Sequence, residues 1–152
     1  MTAIQLLERC KWAEEDRRLL KNKIARRRDS ATRVTSTLDG IGSRDTSEPD
    51  KQAAFVAEID ELERELALRE REYAVEVAAA CKLLDGLPEI EASVMDGYYI
   101  KGNALNVLAR ELSYSYGYVR FLKSSAIVRL NAIPEATLNS MLPSWYIVHS
   151  RN

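Results

Sequence analysis

Histidine, cysteine, proline and glycine are all scarce here: one, two, four and six of them in 152 residues. His149 stands near the end, where chains fray, so it is a poor general base. Cys10 and Cys81 are far apart, with no second cysteine or histidine beside either, which excludes metal-site spacing and a disulfide framework. They read as small apolar fillers of helix faces in a reducing cytoplasm. No glycine-rich loop follows a strand to cradle a phosphate, and no nucleophile elbow is present. Acidic pairs such as Glu61/Glu65 and Glu70/Glu72 sit among alternating charges, as on a solvated helix face. The expectation is a protein without catalytic residues, cofactor or metal. No apolar run approaches the length of a bilayer span, and Met1-Thr2-Ala3 opens no signal peptide. The chain is expected to be soluble, cytoplasmic and away from membranes. A cationic excess is missing too, since 22 Lys and Arg face 23 Asp and Glu for a net charge of −1. That excludes the profile of a strongly basic, autonomous DNA-binding module. The imbalance is local: residues 51–85 hold nine carboxylates against five cations, and the flanking segments lean slightly positive.

What is abundant is helical periodicity, and the expected fold class is all-α. Leu6, Cys10, Ala13, Leu20 and Ile24 recur at three- and four-residue steps and predict one helix from Thr2 to about Arg28. It closes on Lys21, Lys23, Arg26, Arg27 and Arg28, cations that suit a helix C-terminus or, alternatively, a phosphate or an acidic partner. Residues 29–49 are rich in Ser, Thr, Asp and Gly without sustained periodicity, which predicts a flexible loop. Ser47, as cap, and Pro49, in the first turn, start a second helix from about Glu48 to Leu84. Its near-heptad seam of Phe55, Ile59, Leu62, Leu66, Tyr73, Ala80 and Leu83 is broken at Arg69 and Glu76. Two such helices predict a long, coiled-coil-like antiparallel hairpin, closed within one chain or between chains. The seam is narrow for helices of this length, so self-association is expected, with a dimer favoured. Gly86-Leu87-Pro88 ends the second helix. A third, from Pro88 to Lys101, carries Ile90, Val94 and Tyr98 on one side, and Gly102 offers a left-handed stop.

The stretch Asn103–Leu130 carries the functional information. Leu105, Leu108, Ala109 and Leu112 form one helical stripe, and Val119, Leu122, Ala126, Ile127 and Leu130 form another. Ser113-Tyr114-Ser115 separates them, with Asn103 and Ser115 as the expected N-caps. Two short amphipathic helices across a tight turn, with a small Ala109 at the crossing, predict a helix-turn-helix whose second helix enters the major groove. Tyr114 and Val119 are expected in the core at that crossing. Asn131 to Pro134 ends the second helix, and the tail holds one short helix with Trp145 folding back on the head.

The skeleton Leu108-Ala109, Leu112, Ser115, Val119, Ala126-Ile127, Leu130 resembles the last DNA-binding segment of sigma-70-type factors. With two long charged helices and GYYIKGN upstream, residues 20–131 resemble the small phage and prophage late-gene transcription regulators of the ArpU/RinA-like group. The resemblance implies a head of sigma-70 region-four type in which residues after the turn serine face DNA. Carried onto this chain, the candidates are Ser115, Tyr116, Gly117, Tyr118, Arg120, Phe121, Lys123 and Ser124. Arg120 suits bidentate guanine readout and Lys123 a backbone phosphate. Tyr116 and Tyr118 suit a phosphate or a thymine methyl. Arg26, Arg27, Arg28 and Arg110 are further candidate phosphate contacts. The chain departs from the sigma pattern by placing Tyr116-Gly117 and Phe121 where polar base-reading side chains would be expected.

The expected organisation is a helical hairpin over 1–85 with its loop at 29–49, a helix-turn-helix head over 86–133, and a C-terminal tail over 134–152. The expected function is regulation of transcription, of phage or prophage late genes by the resemblance, with double-stranded DNA as partner. RNA polymerase is a possible second partner. A small-terminase-like packaging or assembly protein, and a polymerase-binding interaction protein, are the alternatives.

Overall fold

The computed structural model describes the backbone of residues 1–40 and 48–150, and the side chains of 1–33 and 50–148. Among the described residues every regular element is helical. Two long helices, α1 (Ala3–Gly40) and α2 (Glu48–Asp85), are followed by α3 (Glu89–Met95) and a π-helical turn over Asp96–Ile100. Then come α4 (Leu105–Leu112), α5 (Tyr116–Asn131), α6 (Glu135–Ser140) and α7 (Ser144–Ser150). The chain divides into two compact units, residues 15–70 and residues 1–14 with 71–152.

The first helix runs on past its expected end near Arg28, so residues 29–40 are helical and not the predicted loop. The hydroxyls that suggested a loop are satisfied inside the helix. Ser30 Oγ donates to the Arg26 carbonyl and Thr32 Oγ1 to that of Arg28, each at 3.0 Å. The cationic cluster therefore lies within α1 and does not cap its dipole. The rest of the expected loop, with the Ser47 cap, lies outside the described residues.

In the unit formed by residues 15–70, α1 and α2 are joined by charge more than by apolar packing. Lys21 meets Glu70 at 3.5 Å, Arg27 meets Glu58 at 3.0 Å, and Arg28 pairs with Glu63. Ile24 and Leu62 are the buried apolar residues described in this unit, with Leu20, Phe55, Ile59 and Leu66 half-buried.

The other unit holds the main core. Leu6, Leu7 and Cys10 of α1 and Ala79, Ala80, Leu83 and Leu84 of α2 pack with Met95 and Tyr99. Ala126 and Leu130 of α5 and Leu138, Leu142 and Tyr146 from the last two helices complete the cluster. The predicted tail is thus core, built from two short helices where one was expected. Burial pushes the Cys10 thiol up to about 12, as suits a filler rather than a nucleophile. Glu76, expected only as a break in the seam, is buried; it accepts from Arg9 Nε at 2.8 Å and from the Tyr146 hydroxyl at 2.5 Å.

A second cluster, Val94, Leu108, Ala109, Val119 and Leu122, holds α3, α4 and α5 together. The predicted third helix widens at Asp96 into the π-helical turn, closed by Lys101 N–H on the Asp96 carbonyl at 3.0 Å. Gly97 lies in that turn because Leu108 packs onto it: a Cβ there would come within 2.3 Å of Leu108 Cδ2. Gly102, with φ +71°, then reverses the chain as the sequence predicts.

Candidate nucleic-acid interface

Ser115 caps α5 as expected, its side chain accepting from the Tyr118 backbone N–H at 3.2 Å. The start of α4 differs: the cap is Ala104, not Asn103, and no side chain closes it. Between the helices Ser113 takes the left-handed conformation, φ 58° and ψ 38°, and the Tyr114 N–H returns to the Ala109 carbonyl at 2.9 Å. This hydrogen bond closes the turn between α4 and α5, and Ala109 is buried with Val119 and Leu122.

The orientation of α5 follows from its buried side. Val119, Leu122, Ala126 and Leu130 face inward, and Val119 has no exposed surface. Glu91 of α3 fixes the helix from behind: its carboxylate accepts from Ser125 Oγ at 2.7 Å and stands 3.1 Å from Arg129 Nε. Ser115, Tyr116, Gly117, Tyr118, Arg120, Phe121 and Ser124 are all exposed. The structure therefore brings seven of the eight candidates together on the outer side of one helix and its cap.

Lys123 is the exception. It is half-buried, with Nζ 4.1 Å from the centre of the Tyr98 ring, so it serves the protein interior before any phosphate. Lys11 of α1 approaches the same ring at 3.9 Å. A hydrogen bond from Lys11, with the charge of Lys123 nearby, holds the Tyr98 phenol below its ordinary range. Tyr114, expected in the core, is also misplaced by the sequence pattern: it is 38% exposed, with its ring set edge-on to Tyr118 at 5.1 Å. Left-handed Ser113 turns it outward. Tyr118 in turn stacks on Phe121 with the ring planes 15° apart and centres 6.4 Å apart. Arg120 lies beside Tyr116, its guanidinium 5.8 Å from the ring centre.

Helix α5 carries Arg120, Lys123 and Arg129 and no carboxylate, in a chain whose net charge is −1. Arg120 is the outward-facing cation of α5, since Lys123 is turned to Tyr98 and Arg129 to Glu91, while α4 exposes both Arg110 and Glu111. An open cavity of about 720 Å³ adjoins the starts of α4 and α5, lined in part by Lys11, Tyr98, Asn103, Asn106 and Tyr116. Lys11 was not legible as a site residue, because nothing in its local sequence ties it to residues some ninety positions away. Of the other candidates, Arg26 is exposed, whereas Arg27 and Arg28 are engaged by Glu58 and Glu63. No helix among the described residues is long and apolar enough to cross a membrane. No protein-family model, characterised protein or solved structure matches this chain.

Proposed function

We propose that this chain is a DNA-binding regulator of transcription, with α4, the Ser113 turn and α5 acting as a helix-turn-helix and α5 entering the major groove. The observation that carries the reading is the two-sidedness of α5. Val119 is wholly buried, while Arg120 and its exposed neighbours face outward on a helix that carries no carboxylate. Such a helix attracts a polyanion on the side that packing leaves open. Arg120 is the fork donor for a base edge or a phosphate, and the exposed Arg110 of α4 is a phosphate contact. The work needs no catalysis and no cofactor, and by the resemblance its targets are phage or prophage late genes.

Within residues 15–70, Lys21 of α1 pairs with Glu70 late in this stretch of α2, while Arg27 and Arg28 pair with the earlier Glu58 and Glu63, which supports an antiparallel hairpin. Its thin apolar contact supports association with a second copy, which would double the phosphate contacts of a weakly basic head. The test is selection of bound sequences from a random duplex pool, followed by titration across salt. Enrichment of one motif, with affinity falling as salt rises, is the expected result. Capture of RNA polymerase without any duplex binding would instead support an interaction protein. A ring of many subunits in solution would support a packaging role.

A further inference from the structure

We propose that the outer ridge of α5 reads thymine methyl groups, with Phe121 as the specificity-determining side chain and Gly117 as the notch that admits the groove edge. The inference rests on the DNA-binding reading above and names what that face recognises. Helical spacing places Gly117, Phe121, Ser124 and Val128 directly opposite the buried line of Val119, Leu122, Ala126 and Leu130. Phe121 is 64% exposed and Val128 70% exposed, so the part of the helix nearest any partner is mainly apolar.

The partner is identified by charge: α5 bears no carboxylate, and its outward-facing cation, Arg120, borders the ridge. Against a duplex, an apolar ridge has one good match. Thymine is the base that offers a methyl group in the major groove, and the others present donors and acceptors there. A phenyl ring set on those polar groups would strip their water and return no hydrogen bond. The Phe121 ring stacks on Tyr118, which stands edge-on to Tyr114, so the ridge continues an aromatic surface.

Gly117 lies one turn before Phe121, and a Cβ added to it would meet nothing within 4 Å. Nothing inside the protein calls for glycine there, and glycine weakens a helix relative to alanine. The demand comes from outside, where a missing side chain lets the base edge sit closer to the ring.

The test uses the full chain and a duplex selected from a random pool, resynthesised with deoxyuridine in place of each thymidine in turn. That exchange removes the C5 methyl and keeps base pairing. Loss of a contacted methyl is expected to weaken wild-type binding about fourfold, the factor that burying one such group supplies. Phe121→Ala is expected to bind the thymine and uracil duplexes equally. Gly117→Ala is expected to melt no lower than wild type yet bind the thymine duplex more weakly. Equal binding of both duplexes by the wild type, or a selected motif without thymine, would overturn the inference and leave the DNA-binding reading standing. Unchanged affinity in Gly117→Ala would overturn the notch. Absence of binding to any duplex at low salt would overturn both readings.

Discussion

The Tyr146 hydroxyl donates to Oε1 of Glu76 at 2.5 Å, tying the last helix to α2 inside the core. The same oxygen accepts from Arg9 Nε at 2.8 Å, so one buried carboxylate gathers three helices. A buried charge is tolerable only when paired and hydrogen-bonded, and here it is both. Burial first, then the bond to Glu76, raises the Tyr146 phenol well above its ordinary range.

Tyr146→Phe removes one donor and leaves the Glu76 oxygen to Arg9 alone. The expected cost is about 1–3 kcal/mol of stability, read from the urea midpoint. The pH dependence has a definite sign. The folded state holds the phenolic proton more tightly than the unfolded chain, so the contribution is whole below the ordinary tyrosine value of about 10 and is lost as pH climbs through the raised folded value. The gap between wild type and Tyr146→Phe should therefore narrow at strongly alkaline pH and stay constant near neutrality.

The turn before α5 predicts two changes of opposite sign. Ser115→Ala deletes the cap on Tyr118 N–H and should lower stability by roughly 1 kcal/mol. Ser113→Gly relieves a left-handed conformation that costs a non-glycine residue about 1 kcal/mol, and should raise the melting temperature. A thermal melt of the two variants beside wild type checks both signs at once.

Neighbouring residues on α5 should separate folding from DNA binding. Val119→Asp places a charge in a site with no exposed surface and should unfold the α3–α5 cluster, seen by circular dichroism. Arg120→Ala, on the exposed side, should melt as wild type does and lose about 1–3 kcal/mol of affinity for the selected duplex. Wild-type affinity in a folded Arg120→Ala would count against α5 as the groove-entering helix.

Arg26 and the next two arginines should now behave differently. Arg27 and Arg28 face Glu58 and Glu63 in exposed pairs, each worth at most about 1 kcal/mol. Changing both to Gln should alter stability little and leave the salt slope of duplex binding unchanged. Arg26→Gln with Arg110→Gln should flatten that slope, as loss of phosphate contacts does.

Association is expected to depend on the thin contact in residues 15–70. Leu62 is buried there and Leu66 half-buried, so Leu62→Ala should cost roughly 2–5 kcal/mol and Leu66→Ala less. Light scattering at tens of micromolar should give more than one chain's mass for wild type and a lower mass for the double variant. A monomeric wild type at that concentration would remove the case for self-association.

Local chemistry was legible in the sequence wherever the cause lies within a few residues. The second long helix, the Gly102 reversal, the Ser115 cap and the inward line of Val119, Leu122, Ala126 and Leu130 all follow from periodicity and capping. So does the outward set of α5, because fixing the buried side of a helix fixes its opposite. Tertiary structure decided what depends on distant partners. Residues 29–33 carry loop-like composition yet stay helical, their hydroxyls turned back onto the helix's own carbonyls. Glu76 read as a flaw in an apolar seam and became a buried hub, since Arg9 and Tyr146 reach it from far along the chain. Lys123 read as a phosphate contact, but the π-helical turn brings the Tyr98 ring beneath it. Hydrophobic spacing specifies which side of a helix is buried; which polar groups meet across the core is set only when the helices pack.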